Sequence, residues 1–295
     1  MTGDALRNML GRYSLVTAEE AENALREIVQ NIALFGLWKA RFFDSAAFYG
    51  GSALRILYGL DRFSEDMDFS LLRADPGFSF EPYRGELVRT LNFFGLSAEF
   101  VPRPHVSAGN ILSAFLKTNT SVQLASIGVP ELPGISRGRI LKVKIEVDIA
   151  PPGRFETGLR PVLEPTLFQP RVFGLPWLFA GKMHAVLCRA WGDRVKGRDW
   201  YDMIWYLRRK TPVDLPHLEE RMRQTGHWKG ESSLTPAAFL RLYESAARSL
   251  DIRAAISDVA PFLKNPEDLS SVWSNELFVR LGEAFRFHTG NAGSV

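Results

Sequence analysis

The sequence predicts an α+β fold: a small mixed-sheet domain over residues 1–165, followed by a mainly helical domain over residues 166–295. Three observations lead there. Short apolar runs at 46–49, 67–72 and 140–149 read as strands among helical segments in the first half. Beyond about residue 170 apolar residues recur at helical spacing instead. The chain has 295 residues, 46% hydrophobic and 12% aromatic, which is enough to bury a sizeable core in two domains that share a cleft.

The first forty residues look helical. Thr17 can cap a helix with Glu20 three positions on, and Leu25, Ile28, Val29, Ile32 and Phe35 supply its stripe. Gly36 reads as its end. The strand at Ala46–Tyr49 stops at two glycines, and a helical segment follows from Ser52 to Tyr58, closed by Gly59. Met67–Leu72 is the second strand. A break from Pro76 to Pro82 precedes a helix over Tyr83–Phe94 that ends at Gly95. Ser121–Leu124 reads as a strand, and Ile140–Ile149 is the clearest strand of all, terminated by Pro151-Pro152-Gly153. Pro176 opens the helical half, with a first helix running to Trp191 and a second from Asp199 to about Arg209. Thr235-Pro236 starts a third helix that continues to Leu250, and Ser270–Phe287 reads as the last.

Composition excludes several classes. The single cysteine, Cys188, rules out an intrachain disulfide framework and a multi-thiolate zinc site. Charge interrupts every apolar stretch within about ten residues, short of a membrane span. With no apolar core for a secretion signal near its start, the chain reads as a cytoplasmic protein without a membrane partner. The net charge is only +3, yet cations cluster at Arg137, Arg139, Lys142 and Lys144, at Arg189, Arg194, Lys196 and Arg198, and at Arg208, Arg209 and Lys210. Such clusters suit phosphate or RNA, although a solvated surface accounts for them equally.

The chemistry concentrates at two places in the first half. In Phe48-Tyr49-Gly50-Gly51-Ser52-Ala53-Leu54-Arg55, two glycines join a strand to a helix whose amides can bind phosphate oxygens. Ser52 offers a hydroxyl. The segment is no P-loop, because no Gly-Lys-Ser/Thr follows. Next comes Asp66-Met67-Asp68, whose two carboxylates share one face of a strand and repel unless a cation lies between them. Hard oxygen donors of this kind suit magnesium or manganese, which would hold a nucleoside triphosphate. A third acid is expected from Lys144, Glu146 and Asp148, which share one face of their strand. Asp148 is the choice, with Glu146 as the alternative and Lys144 as a phosphate or balancing charge. Arg62 either bridges phosphate and carboxylate or ties its loop to Glu65 or Asp61; Arg55 reads as structural.

In the helical half, Lys182 sits in Phe179-Ala180-Gly181-Lys182-Met183-His184-Ala185, where a lysine among small and apolar residues can reach a triphosphate. Asp199 and Asp202 fall on one helical face with Tyr206, opposite a core stripe of Trp200, Met203, Ile204 and Leu207. They either orient Lys182 or an arginine, help activate an acceptor, or merely cap the helix. Cys188 and His184, one turn apart, make no convincing nucleophile pair, and His105 has no ligand partner at metal spacing. Trp177, Trp191, Trp200 and Trp205 read as core or interface residues.

The ordered series of these segments, from about residue 45 to 210, resembles the nucleotidyltransferase toxins of the AbiEii/AbiGii abortive-infection family. The quoted glycine turn, Arg62-Phe63-Ser64-Glu65-Asp66-Met67-Asp68-Phe69, Lys142–Ile149, the Lys182 segment and Arg198-Asp199-Trp200-Tyr201-Asp202 carry the likeness. The resemblance implies a DNA-polymerase-β-like domain with an added helical region. It places Ser52 at the nucleotide phosphates and makes Asp66 and Asp68 metal ligands. It matches Lys182, Arg198, Asp199 and Asp202 to the family's lysine and its following Arg-Asp element. It further implies NTP as substrate, NMP transfer to RNA at the tRNA 3′ end, blocked translation, and a cognate antitoxin, often with a winged-helix domain. Transfer to a protein hydroxyl or a small molecule is the alternative enzyme reading, and a non-catalytic nucleotide- or partner-binding module is the alternative outside catalysis.

Overall fold

Thr17 caps the longest helix in the way its spacing predicts: its side chain accepts from the Glu20 amide while the Glu20 carboxylate accepts from the Thr17 amide. The computed structural model describes residues 2–13, 15–103, 110–126, 134–136, 138–188, 195–263 and 266–288. The chain divides into two compact units, Met1–Pro151 with Thr157–Val172, and Pro152–Glu156 with Phe173–Val295.

The first unit contains helices α1 (Thr2–Leu10), α2 (Ala18–Lys39), α3 (Gly50–Tyr58), α4 (Glu81–Phe93) and α5 (Thr120–Ser126). Its strands are β1 (Ala46–Tyr49), β2 (Met67–Leu71), β3 (Glu99–Pro102), β4 (Ile111–Asn119), β5 (Ile140–Asp148), β6 (Thr157–Leu159) and β7 (Arg171–Phe173). Among the described residues they form one mixed sheet in the order β3-β4-β5-β2-β1-β7-β6. β2 runs antiparallel to β1 and parallel to β5, so the two clearest strands of the sequence are neighbours at the sheet centre. The alternation of β5 explains its placement. Leu141, Val143, Ile145 and Val147 are buried in the core, as are Leu25, Ile28, Val29 and Ile32 of α2, which packs beside β5. The intervening positions carry Lys142, Lys144 and Glu146.

The second unit contains α6 (Leu175–Cys188), α7 (Gly197–Arg208), α8 (Leu215–Gln224), α9 (Pro236–Arg248), α10 (Ile252–Val259), α11 (Leu269–Val272) and α12 (Asn275–Arg280). A short parallel pair, β8 (Pro212–Asp214) and β9 (Arg286–His288), joins them. A mixed sheet followed by a mainly helical region is the predicted α+β class. No described helix is long and apolar enough to cross a membrane.

Three local expectations are overturned, each for a visible reason. Gly36 does not end α2, which continues to Lys39. A Cβ there would lie 3.2 Å from the Leu87 backbone, so the glycine permits the close approach of α4. Ser121–Leu124 is helix rather than strand, because the Asn119 side chain accepts from the Val122 amide and the Ser121 hydroxyl and starts α5. Ser270–Phe287 is not one helix. Trp273 is extended, Ser274 caps a new helix by accepting from the Leu277 amide, and the end of the segment pairs with β8 as β9.

Candidate active site

The glycine turn and the paired acids meet through strand register. Antiparallel pairing sets Tyr49 opposite Asp68, so α3 begins where the Asp68 carboxylate stands. Gly50 has φ 81°, and a Cβ on it would overlap that carboxylate. A Cβ on Gly51 would lie 2.9 Å from Ser64 Oγ and 3.0 Å from an Arg62 guanidinium nitrogen. The two glycines therefore let the backbone lie directly against Asp68 on one side and Ser64 with Arg62 on the other. Asp68 lies in β2, and Asp66 immediately precedes the strand, two positions away.

Ser52 is fully buried and its hydroxyl donates to the Asp66 carbonyl oxygen, locking the helix start to the acid-bearing strand. Arg62 is also buried, donating from Nη1 to the Phe63 carbonyl at 2.7 Å. The loop carrying Ser64 and Glu65 is held by Gln30, whose amide donates to both carbonyls at 3.0 Å. Arg55 is structural: it pairs with Glu27 at 2.6 Å, donates to the Leu60 carbonyl and lies over the Phe63 ring. Tyr13 donates to Glu27 at 2.8 Å, and burial followed by the Glu27 charge pushes its hydroxyl pKa up. Sequence reasoning missed Ser64, although it precedes Asp66 by the same two-residue step that links Asp66 to Asp68.

For the third acid, the parallel register sets Glu146 opposite Asp68 and Asp148 opposite Ser70. Glu146 is partly exposed, pairs with Lys144 at 2.6 Å and accepts from the Ser113 hydroxyl. Asp148 is 4% exposed and accepts from the Ala150 amide at 3.1 Å. The lateral neighbour of the acidic pair is thus Glu146, whereas the sequence reading preferred Asp148. Asp66, Asp68 and Glu146 carry hard oxygen donors, the donor type that suits magnesium or manganese.

In the second unit, Lys182 of α6 is bracketed by two acids of α7. Its Nζ lies 2.6 Å from Asp199 Oδ1 and 2.8 Å from Asp202 Oδ2. The i, i+3 spacing of the acids puts both on the side facing α6, with Asp202 wholly buried. Trp200, Met203 and Leu207 of the opposite stripe are buried too, and Tyr206 stacks on Phe179. Arg198 binds Asp258 at 3.4 Å and stacks over Phe262, tying α7 to α10.

Burial pushes the Cys188 thiol up to about 11, which argues against a nucleophilic cysteine at neutral pH. Of the predicted basic clusters, Arg139 forms a two-pronged pair with Glu22 at 2.7 and 3.1 Å, while Arg209 stacks on Trp205. Arg137, Arg189 and Arg194 lie outside the described residues, as do His105 and Trp191.

Two solved structures are similar to the chain. One is a candidate nucleotidyltransferase from H. pylori, 16% identical, with 88% of this chain and 91% of that chain covered and a TM-score of 0.45. The other is JHP933 from Helicobacter pylori, 17% identical, with 91% of each chain covered and a TM-score of 0.45. No curated relative matches. At such values the assignment rests on the family model for the nucleotidyl transferase AbiEii toxin of type IV toxin–antitoxin systems, which matches residues 32–275. The chain belongs to the AbiEii nucleotidyltransferase toxin family, and its activity class is nucleotidyl transfer.

Proposed function

We propose that the chain transfers NMP from an NTP to an RNA acceptor, the tRNA 3′ end, and so blocks translation in the cytoplasm. The observation that carries this reading is the closure of the Gly50–Gly51 turn on Asp68, with Asp66 beside it and Glu146 in register. Asp66 and Asp68 would hold magnesium or manganese, with Glu146 favoured over Asp148 as the third carboxylate. When bound, the ion supplies neutralisation of triphosphate charge and polarisation at the α-phosphate. Around it, the start of α3 offers its positive end to phosphate oxygens. Gly50 and Gly51 keep that approach clear of side chains, and Ser64 and Arg62 flank the turn. Ser52 and Gln30 position the turn and the acid-bearing loop, and in the second unit Asp199 and Asp202 hold Lys182, the lysine that the family likeness assigns to the triphosphate. A cognate antitoxin is the expected protein partner, since the family is defined by type IV toxin–antitoxin systems.

The test is incubation of the purified chain with magnesium, each labelled NTP in turn and total tRNA. Label should enter RNA with the wild type and fall at least about 100-fold in Asp66→Asn, since even one lost transition-state donor costs that much. Glu146→Gln should fall comparably, while Asp148→Asn retains most activity if register decides the third ligand. Lys182→Arg should raise KM for NTP more than it lowers kcat. Labelled protein or small molecule in place of RNA would overturn the acceptor, and absence of transfer by folded protein with every NTP and metal would overturn the reaction.

A further inference from the structure

Away from the acids of β2 and β5, the second unit gathers three metal-ligating side chains of another chemistry. His184 and Cys188 lie one turn apart on α6, so they share a face. His227 comes from the turn that ends α8. One ligand atom from each of the three lies within 4.8 Å of the others.

The position of His227 is set by a defined helix ending. Gly226 has φ 76°, its amide donates to the Arg223 carbonyl at 3.0 Å, and the His227 amide donates to the Met222 carbonyl at 2.8 Å. This paired arrangement is a Schellman motif, which fixes the backbone of His227 relative to α8. Thr225, the capping residue, then gathers the two imidazoles. Its Oγ1 lies 2.9 Å from His184 Nε2 and 2.9 Å from His227 Nδ1, while its own hydroxyl donates to the carbonyls of Arg221 and Met222. Ligand imidazoles ordinarily hydrogen-bond an outer polar group through the ring nitrogen that does not bind the metal, and the Thr225 hydroxyl is such a group for both rings. The C-terminal end of α8 also carries partial negative charge, which favours a cation there.

We propose that His184, Cys188 and His227 bind a zinc ion that clamps α6 to the turn after α8. Two imidazoles and one thiolate form a borderline-soft donor set that suits zinc and disfavours magnesium. With zinc bonds of about 2.0–2.3 Å, tetrahedral ligands stand roughly 3.4–3.6 Å apart. Closing from 4.8 Å therefore takes about an ångström, within reach of a rotation of the exposed His227 ring. Binding releases the Cys188 thiol proton to solvent as the sulfur–zinc bond forms, and no electron is transferred. The site does not depend on the nucleotide reading, and its test is separate from transfer activity.

The full chain, stripped of metal, is titrated with zinc against a chromophoric chelator, and cobalt is used as a spectroscopic stand-in. One zinc per chain is expected, with a thiolate-to-cobalt charge-transfer band that reports Cys188. Loss of an outer partner of a metal ligand costs about 10–100-fold in affinity, so His227→Ala should cost at least about 100-fold. His227 is exposed, which lets that variant fold. Cys188→Ser should remove the charge-transfer band, and Asp66→Asn/Asp68→Asn should change neither stoichiometry nor affinity. Equal zinc affinity in wild type and His227→Ala, or loss of the zinc in the double aspartate variant, would overturn the proposal.

Discussion

The acidic turn of the first unit and the lysine bracket of the second hold charged groups by different means. At the turn, backbone does the placing: antiparallel register sets Tyr49 against Asp68, and Gly50 adopts a conformation that only glycine takes easily. At the bracket, side chains do the placing, with one ammonium between two buried carboxylates on a packed helix. The difference teaches where each region is vulnerable. A backbone-built site fails when a Cβ intrudes, even though no charge changes. A side-chain-built site fails when one partner is removed and the others stay buried.

The largest effect should therefore come from breaking the bracket. Lys182→Met leaves two buried acids facing each other and should lower unfolding stability by about 3–5 kcal/mol, read by denaturant titration. Adding Asp199→Asn and Asp202→Asn should restore most of that loss without restoring transfer activity. A Lys182→Met chain as stable as the wild type would show that the two acids do not depend on the ammonium between them.

A second test uses a buried neutral group of the same unit. His217 is fully buried, and its Nδ1 donates to the Gly153 carbonyl at 2.8 Å. Its pKa is held down at about 3, first by burial and then by Arg221, against a raising contribution from Gly153. The unfolded chain binds this proton below about pH 6.5, whereas the folded chain resists it until about pH 3. The stability it contributes is thus complete above the unfolded pKa and declines as pH falls toward the folded one. Stability should fall by about 2 kcal/mol from about pH 7.5 to about pH 5 on this account. His217→Gln should flatten that part of the profile.

Gly50→Ala is the matching test of the backbone-built turn. Forcing a side chain into a left-handed position costs on the order of 1–3 kcal/mol, and here it also displaces the Asp68 carboxylate. Transfer should fall by far more than the stability change alone would cause; equal losses in both would remove the special role of the turn. The smallest effect should come from the exposed Arg139–Glu22 pair, where Arg139→Ala should cost about 0.2–1 kcal/mol, measured in the same titrations.

Much of the first unit was legible. The capping box at Thr17, the strands around 46–49, 67–71 and 140–148, and the stop at Gly59 all follow from local chemistry that the sequence states directly. β3 is only four residues long and the apolar positions of β4 do not alternate strictly, so both escaped; they become strands because β4 pairs with β3 on one side and β5 on the other. Ser52 illustrates the limit within the site. Its motif suggests a phosphate donor, but only the packing of α3 on β2 shows its hydroxyl turned to the Asp66 carbonyl. His227 was illegible as a ligand, since it lies far along the chain from His184 and Cys188.

By itself the sequence determined the class of fold, and it singled out as candidates the acids at 66 and 68, the glycines that precede them and the lysine at 182, because each is a matter of residue type and short-range spacing. Tertiary structure alone decided that Glu146 stands beside Asp68, that Asp199 and Asp202 both hold Lys182, and that His227 joins His184 and Cys188. The physical reason is that strand register and helix packing arise from contacts between distant segments, and a local spacing rule carries no information about which distant segment arrives.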